Sequence, residues 1–256
     1  MAESLHEVDA HDLRSWVGQT YDGLADLLAS GPAGTWDAPS LCAGWRVRHV
    51  VAHVTMPARL SAEQFGAEMA AAGGDFARLS DTVADRDASL PAAELLDALR
   101  SPVLHGWQPP GGGAAGALSH AVIHSLDVTV ALGRPPVAPA GAVVAVLDRL
   151  AAADGAVFGL DLTGVRLEAA DTAWSRGDGE VVRADSGPLV ALLSGRTLPT
   201  AGCCAAAEGR WPPAGPGRAA AGPGPAATPP LSGPGVPDGC AGSPRRRTRR
   251  AARCRA

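Results

Sequence analysis

At 256 residues the chain is long enough for one large domain or two small ones, and no run approaches the ~18 apolar residues of a membrane span. The opening MAESLHEVDAHDL is acidic and has no apolar segment, so it does not read as a signal peptide, and we expect a cytoplasmic protein with no membrane partner. The net charge of −4 is unevenly spread: nine arginines against Glu208 and Asp238 put residues 199–256 at +7 and residues 1–198 at −11, which argues against a dedicated nucleic-acid binder.

Two features of composition concern origin and redox chemistry. All 22 basic residues are arginine, and Ala, Gly and Pro abound; this is the coding bias of a GC-rich bacterial genome. The five cysteines (Cys42, Cys203, Cys204, Cys240, Cys254) contain no CxxC pair, so neither a disulfide framework nor a cysteine zinc site is indicated.

In chain order, residues 8–30 space Leu13, Val17, Tyr21, Leu24 and Leu28 three or four apart, an amphipathic helix ending at Gly31-Pro32. The loop GPAGTWDAPSLCAGW follows. A second helix is expected over about 46–71, with Val47, Val50, Val51 and Val54 as its core stripe. A third, LPAAELLDALRS, has Pro91 at a plausible first turn. The loop WQPPGGGAAG leads into a fourth, about 114–132, stopped by GRPP. Four helices with a long crossover predict a bundle over residues 8–135. After RPPVAP comes another helix, GAVVAVLDRLAAA. The period then changes: VRLEA alternates, a Gly-rich turn follows, VVRAD is a candidate return strand, and GPLVALLSGR is a last short helix. Residues 138–198 therefore read as a small α+β unit. The fold class is mainly α.

From about Pro199 the only large apolar residues are Trp211, Leu231 and Val236. Such a segment cannot bury enough surface to offset chain entropy, so 199–256 is expected to be disordered. Its Ala/Pro/Gly/Arg content is also what an out-of-frame translation of GC-rich DNA yields, and RRRTRRAARCRA leaves a basic arm as a third reading.

The segment HAVIHSLDV (120–128) sets two histidines and an aspartate in an apolar run, which costs free energy unless they have partners. On a helix His120 and His124 share a face and are spaced to grip one metal ion. Asp127, one turn on, could orient an imidazole or ligate directly. A catalytic metal usually takes three protein ligands, and RHVVAHV in the second helix offers the third. At 100° per residue His53 lies about 60° from the edge of the valine stripe and His49 about 100° from it, so His53 points further inward. His49 and His53 are also four apart and form an alternative pair. A lone i,i+4 histidine pair in an alanine-rich helix is more often incidental than ligating. His6, His11 and His105 read as ordinary surface residues.

TWDAPSLCAGWRVRHVVAHV followed by HAVIHSLDVTVALGRPP resembles the mycothiol-dependent maleylpyruvate isomerase family, within the DinB-like superfamily. The first motif is carried by Trp36, Pro39, Ser40, Leu41, Cys42, Gly44, Trp45 and His53, and the second by His120, His124, Asp127, Leu132 and Gly133. Trp174, Gly177 and Gly195-Arg196 resemble the family's C-terminal unit, so the likeness covers about 10–198. It implies a DinB-like four-helix bundle with a divalent metal, zinc foremost, held by His53, His120 and His124. It further implies mycothiol as co-substrate, its thiol activated by the metal for isomerisation or transfer on an electrophilic small molecule. The chain departs from the isomerase at His120, where that enzyme has glutamate; three neutral imidazoles leave the ion's full charge in place. Cys42 is expected to pack beside Trp45, with no basic partner, and not to act as nucleophile. A hydrolase using activated water and a non-catalytic metal-binding or stress-response module are the competing readings.

Overall fold

The protein was analysed as a computed structural model, which describes residues 9–152 and 158–198. The tail expected to be disordered and His6 lie outside the described residues.

Helix α1 (Ala10–Ser30) starts where the Asp9 side chain accepts from the His11 N–H at 2.8 Å, and its stripe of Val17, Tyr21, Leu24 and Leu28 is buried. A short 3-10 turn, Ala33–Asp37, inserts Trp36 into the core. The chain then reverses, Pro39 bridging Arg46, and enters α2 (Val47–Val54).

The expected helix over 46–71 is three. After α2 come α3 (Met56–Arg59) and α4 (Ala62–Ala71). Pro57 is the cause of the first break: it has no N–H to give to the His53 carbonyl four residues back, and its ring crowds that turn. Ser61 and Gln64 form a capping box that starts α4 afresh. His53 is thereby left in the last turn of a short helix, beside a bend.

Helix α5 (Phe76–Asp87) was not expected from its polar sequence, yet Asp75 caps it and Leu79 and Val83 pack inward against α2. Helix α6 (Ala92–Leu99) begins directly after Pro91, and α7 (Pro102–Gly106) lies against α1. Helix α8 (Gly113–Thr129) is buried continuously from Gly116 to Thr129. It is surrounded by α1, α2, α9 (Ala140–Ala152) and α10 (Ser186–Leu193). A helix covered on every side must be apolar all round, so any polar group on it needs a partner inside the protein.

The sheet corrects one expectation. VRLEA is β1 (Val165–Ala169), but Glu180–Ala184, β3, runs parallel to it, Leu167 facing Val182. The antiparallel partner is the two-residue β2 (Ser175–Arg176) on the other edge, giving the order β2-β1-β3. The link between the edges passes hard against the start of β1. Gly177 and Gly179 have φ of 85° and 129°, and a Cβ on them would fall 2.3 Å from Val165 O and 2.1 Å from Gly164 O; only glycine fits such an approach. Trp174 Nε1 donates to Asp148 of α9 at 2.7 Å, and Asp171 accepts from the Ser186 N–H at 2.8 Å at the start of α10.

The fold is mainly helical, with a small sheet in its C-terminal part. The buried side chains of α1, α2 and α8 form one cluster with Leu147, Leu167 and Leu189 from beyond residue 138. A separate smaller cluster, Met56, Ala72, Leu79 and Val83, lies under α3, α4 and α5. No described helix is long and apolar enough to cross a membrane.

Candidate metal centre

Helix α8 contributes His120 and His124, α2 contributes His53, and all three are buried. One ring nitrogen of each lies within 4.8 Å of one from the others. His120 Nε2 and His53 Nε2 are 3.4 Å apart; two nitrogens sharing one tetrahedral zinc at about 2.0–2.1 Å would stand roughly 3.3–3.4 Å apart. The rings are tilted or edge-on to one another, with centroids 4.8 to 5.3 Å apart.

Two of the imidazoles are held from behind. The Tyr21 hydroxyl, from the apolar stripe of α1, is 3.0 Å from His120 Nδ1, and Asp127 Oδ2 is 2.9 Å from His124 Nδ1. Each contact uses Nδ1 and leaves Nε2 as the remaining donor nitrogen. His53 has no such support: its Nδ1 is buried without a hydrogen-bond partner among the described residues. Burial, with the neighbouring imidazoles adding to it, pushes His53 and His120 well below the ordinary histidine range. Both are therefore neutral, as ligation requires. Three imidazole nitrogens within reach of one another suit a tetrahedral divalent ion that keeps an open position.

Asp127 is the hub behind His124. Arg196, three residues beyond the end of α10 and directly after Gly195, donates Nε to Asp127 Oδ1 at 2.7 Å and Nη2 to Oδ2 at 2.9 Å. Cys42 Sγ donates to Oδ2 at 3.1 Å, and the Asp127 backbone carbonyl accepts from the Leu41 N–H at 2.9 Å. Burial alone would raise the Asp127 carboxyl, but the hydrogen bonds from Arg196 and His124 outweigh it and hold it below the usual carboxylate range. Burial and then the Asp127 charge push the Cys42 thiol up, so it stays protonated and serves as a donor. The expectation that Cys42 lacks a basic partner is corrected, since Arg196 Nη2 lies 3.7 Å from its sulfur.

The other histidines stand apart. His49 Nδ1 accepts from the Arg46 N–H at 3.2 Å, closing the start of α2, and its Nε2 is 3.6 Å from Asp85. Among the described residues it joins no cluster of potential ligands, so nothing supports the alternative His49–His53 pair. His105 is half-buried on α7, not on the surface, with Nε2 bonded to Leu99 O at 2.8 Å and its ring stacked on Tyr21. His11 is exposed in the first turn of α1.

Sequence reasoning missed Tyr21 and Arg196 as parts of this centre. A hydroxyl in a buried stripe demands a partner, so Tyr21 carried a local signal; Arg196, 69 residues from Asp127, carried none.

Beside the trio lies a cleft of about 390 Å³ that His53 and His120 help to line. Its walls come from α3, α4, the start of α5 and the loop before α8. The ring of Trp107 is edge-on to His120, and that of Phe76 to His53.

Fold and site together define a class: a helical-bundle protein with a buried three-imidazole donor set opening on an apolar cleft. Residues 9–105 match the family model of the mycothiol maleylpyruvate isomerase N-terminal domain. The matched segment includes His53 and ends before α8. No curated protein and no solved structure matches the chain.

Proposed function

We propose that the chain binds a divalent ion, zinc foremost, through His53, His120 and His124, and that it is an enzyme using mycothiol as co-substrate on an electrophilic small molecule. The observation that carries the reading is the trio itself: three buried imidazoles converging from two helices, two of them oriented through Nδ1 by Tyr21 and Asp127. When bound, such an ion lowers the pKa of a thiol and makes thiolate available at neutral pH.

The chain's own residues do the rest. Asp127 accepts a hydrogen bond from Nδ1–H of His124 and so fixes its tautomer, while Arg196 and the Cys42 thiol hold the carboxylate in place. Tyr21 sets the plane of His120. Cys42 is buried, protonated and hydrogen-bonded to Asp127, so it is not the nucleophile; in this reading the thiol of mycothiol is. Trp107 and Phe76 set their rings edge-on against His120 and His53 in the wall of the cleft.

The test is metal content followed by thiol dependence. The purified protein should carry about one zinc per chain, as one three-ligand site would. Activity on α,β-unsaturated substrates should vanish with a chelator, return with Zn²⁺, and rise with mycothiol below saturation. Metal-dependent turnover that ignores thiol would replace this reading with a hydrolase, and stoichiometric metal without turnover would replace it with a binding module.

A further inference from the structure

The cleft next to the trio is built almost wholly from hydrocarbon. Met56, Leu60, Phe65, Met69, Phe76 and Trp107 supply its large side chains, and Pro57, Pro109 and Pro110 add further apolar surface. Among the described residues, apart from the two histidines, its polar side chains are Ser61 and Gln108, and no arginine, aspartate or glutamate lines it. The Ser61 hydroxyl accepts from the Gln64 N–H at 3.1 Å and carries no charge to pair with an anion.

Arg59, which lies between the lining residues Pro57 and Leu60 in sequence, is bonded within the protein through all three of its nitrogens. Its Nη2 donates to Ala52 O at 2.6 Å, its Nε to Thr55 Oγ1 at 3.1 Å, and its Nη1 to the Asp87 carboxylate. It is a brace for the α2–α3 bend and is not available to an anion.

A carboxylate moved into such walls would lose its hydration without gaining a partner, a cost of several kcal/mol per charge. Apolar and aromatic surface loses no such interaction in the cleft, and it gains contact with two methionines, which adapt their shape, and with three aromatic rings.

We propose that this cleft takes the uncharged, hydrocarbon-rich body of the electrophile, so that the substrate is a neutral molecule such as an aryl or alkyl enone and not a dicarboxylic acid such as maleylpyruvate. The proposal rests on the functional reading above for where reaction occurs, but the preference of the cleft for neutral ligands does not depend on metal or thiol.

The experiment is displacement of the neutral fluorescent probe N-phenyl-1-naphthylamine from the full chain, with and without Zn²⁺. Benzalacetone, a neutral aryl enone, should displace the probe at a concentration at least about tenfold below that needed for maleate, and the order should hold without metal. Phe65→Ser and Met69→Ala, on the half-exposed face of α4, should each weaken benzalacetone by about three- to tenfold, from the lost apolar contact, with an unchanged circular dichroism spectrum. Maleate competing equally well, or displacement that neither substitution affects, would overturn the proposal. Either result leaves zinc stoichiometry, measured separately, as the test of the metal reading.

Discussion

Replacing Arg196 by methionine cuts the clamp between the end of α10 and α8. Asp127, 1% exposed, accepts two hydrogen bonds from Arg196, itself 6% exposed. Removing one member of a buried ion pair strands the other charge and costs about 3–5 kcal/mol. His124 and Cys42 still donate to Asp127, so Arg196→Met should fall near the lower end, about 3 kcal/mol. Asp127→Asn should cost about as much, because it strands the guanidinium instead. With both replaced no charge is stranded, so the double variant should cost about 2 kcal/mol less than the sum of the singles. The assay is urea unfolding at pH 7 in chelator, since bound metal would add its own linked stabilisation. A pH series checks the sign. A carboxyl held low in the folded state stabilises fully above its unfolded pKa of about 3.9, and that contribution is lost as pH falls through the folded value. Arg196→Met raises the folded value of Asp127. The stability gap between the native chain and the variant should therefore be widest near pH 7 and narrow on the acid side. Additivity within about 0.5 kcal/mol, or a gap independent of pH, would refute the clamp.

Replacing His53, His120 or His124 with alanine should each abolish stoichiometric zinc by atomic absorption; His49→Ala should keep it and lose only about 1 kcal/mol of stability, the usual worth of a helix cap. Tyr21→Phe should fold normally but weaken zinc about 10- to 100-fold in a competition titration, the effect of losing an outer hydrogen bond to a ligand; unchanged affinity would remove Tyr21 from the site. Gly179→Ala forces a Cβ to 2.1 Å from Gly164 O. It should destabilise by more than about 1–3 kcal/mol, read as a fall in Tm.

What the sequence determined by itself was local. The three- and four-residue spacing of Val17, Tyr21, Leu24 and Leu28 placed α1, and the same period put His120, His124 and Asp127 along one side of α8. A resemblance carried by His53, His120 and His124 pointed to metal and thiol, and residues 9–105 do match the family. Even the break after His53 was written in Pro57, though the valine stripe concealed it. The polar sequence of α5 hid a helix, because its buried side includes Ser80 and Asp87 beside Leu79, Val83 and Ala84.

The tertiary structure alone decided the rest. Nothing within a few turns of Asp127 announces Arg196 or Cys42, which reach it from 69 residues downstream and 85 upstream. The choice of a parallel partner for β1 depended on how tightly two glycines let the chain pass under it. Periodicity reports which face of an element is buried, since it arises from a backbone repeat of a few residues. Which groups meet on that face is set by packing all the elements at once, because a buried charge must find its partner wherever the fold brings one within reach.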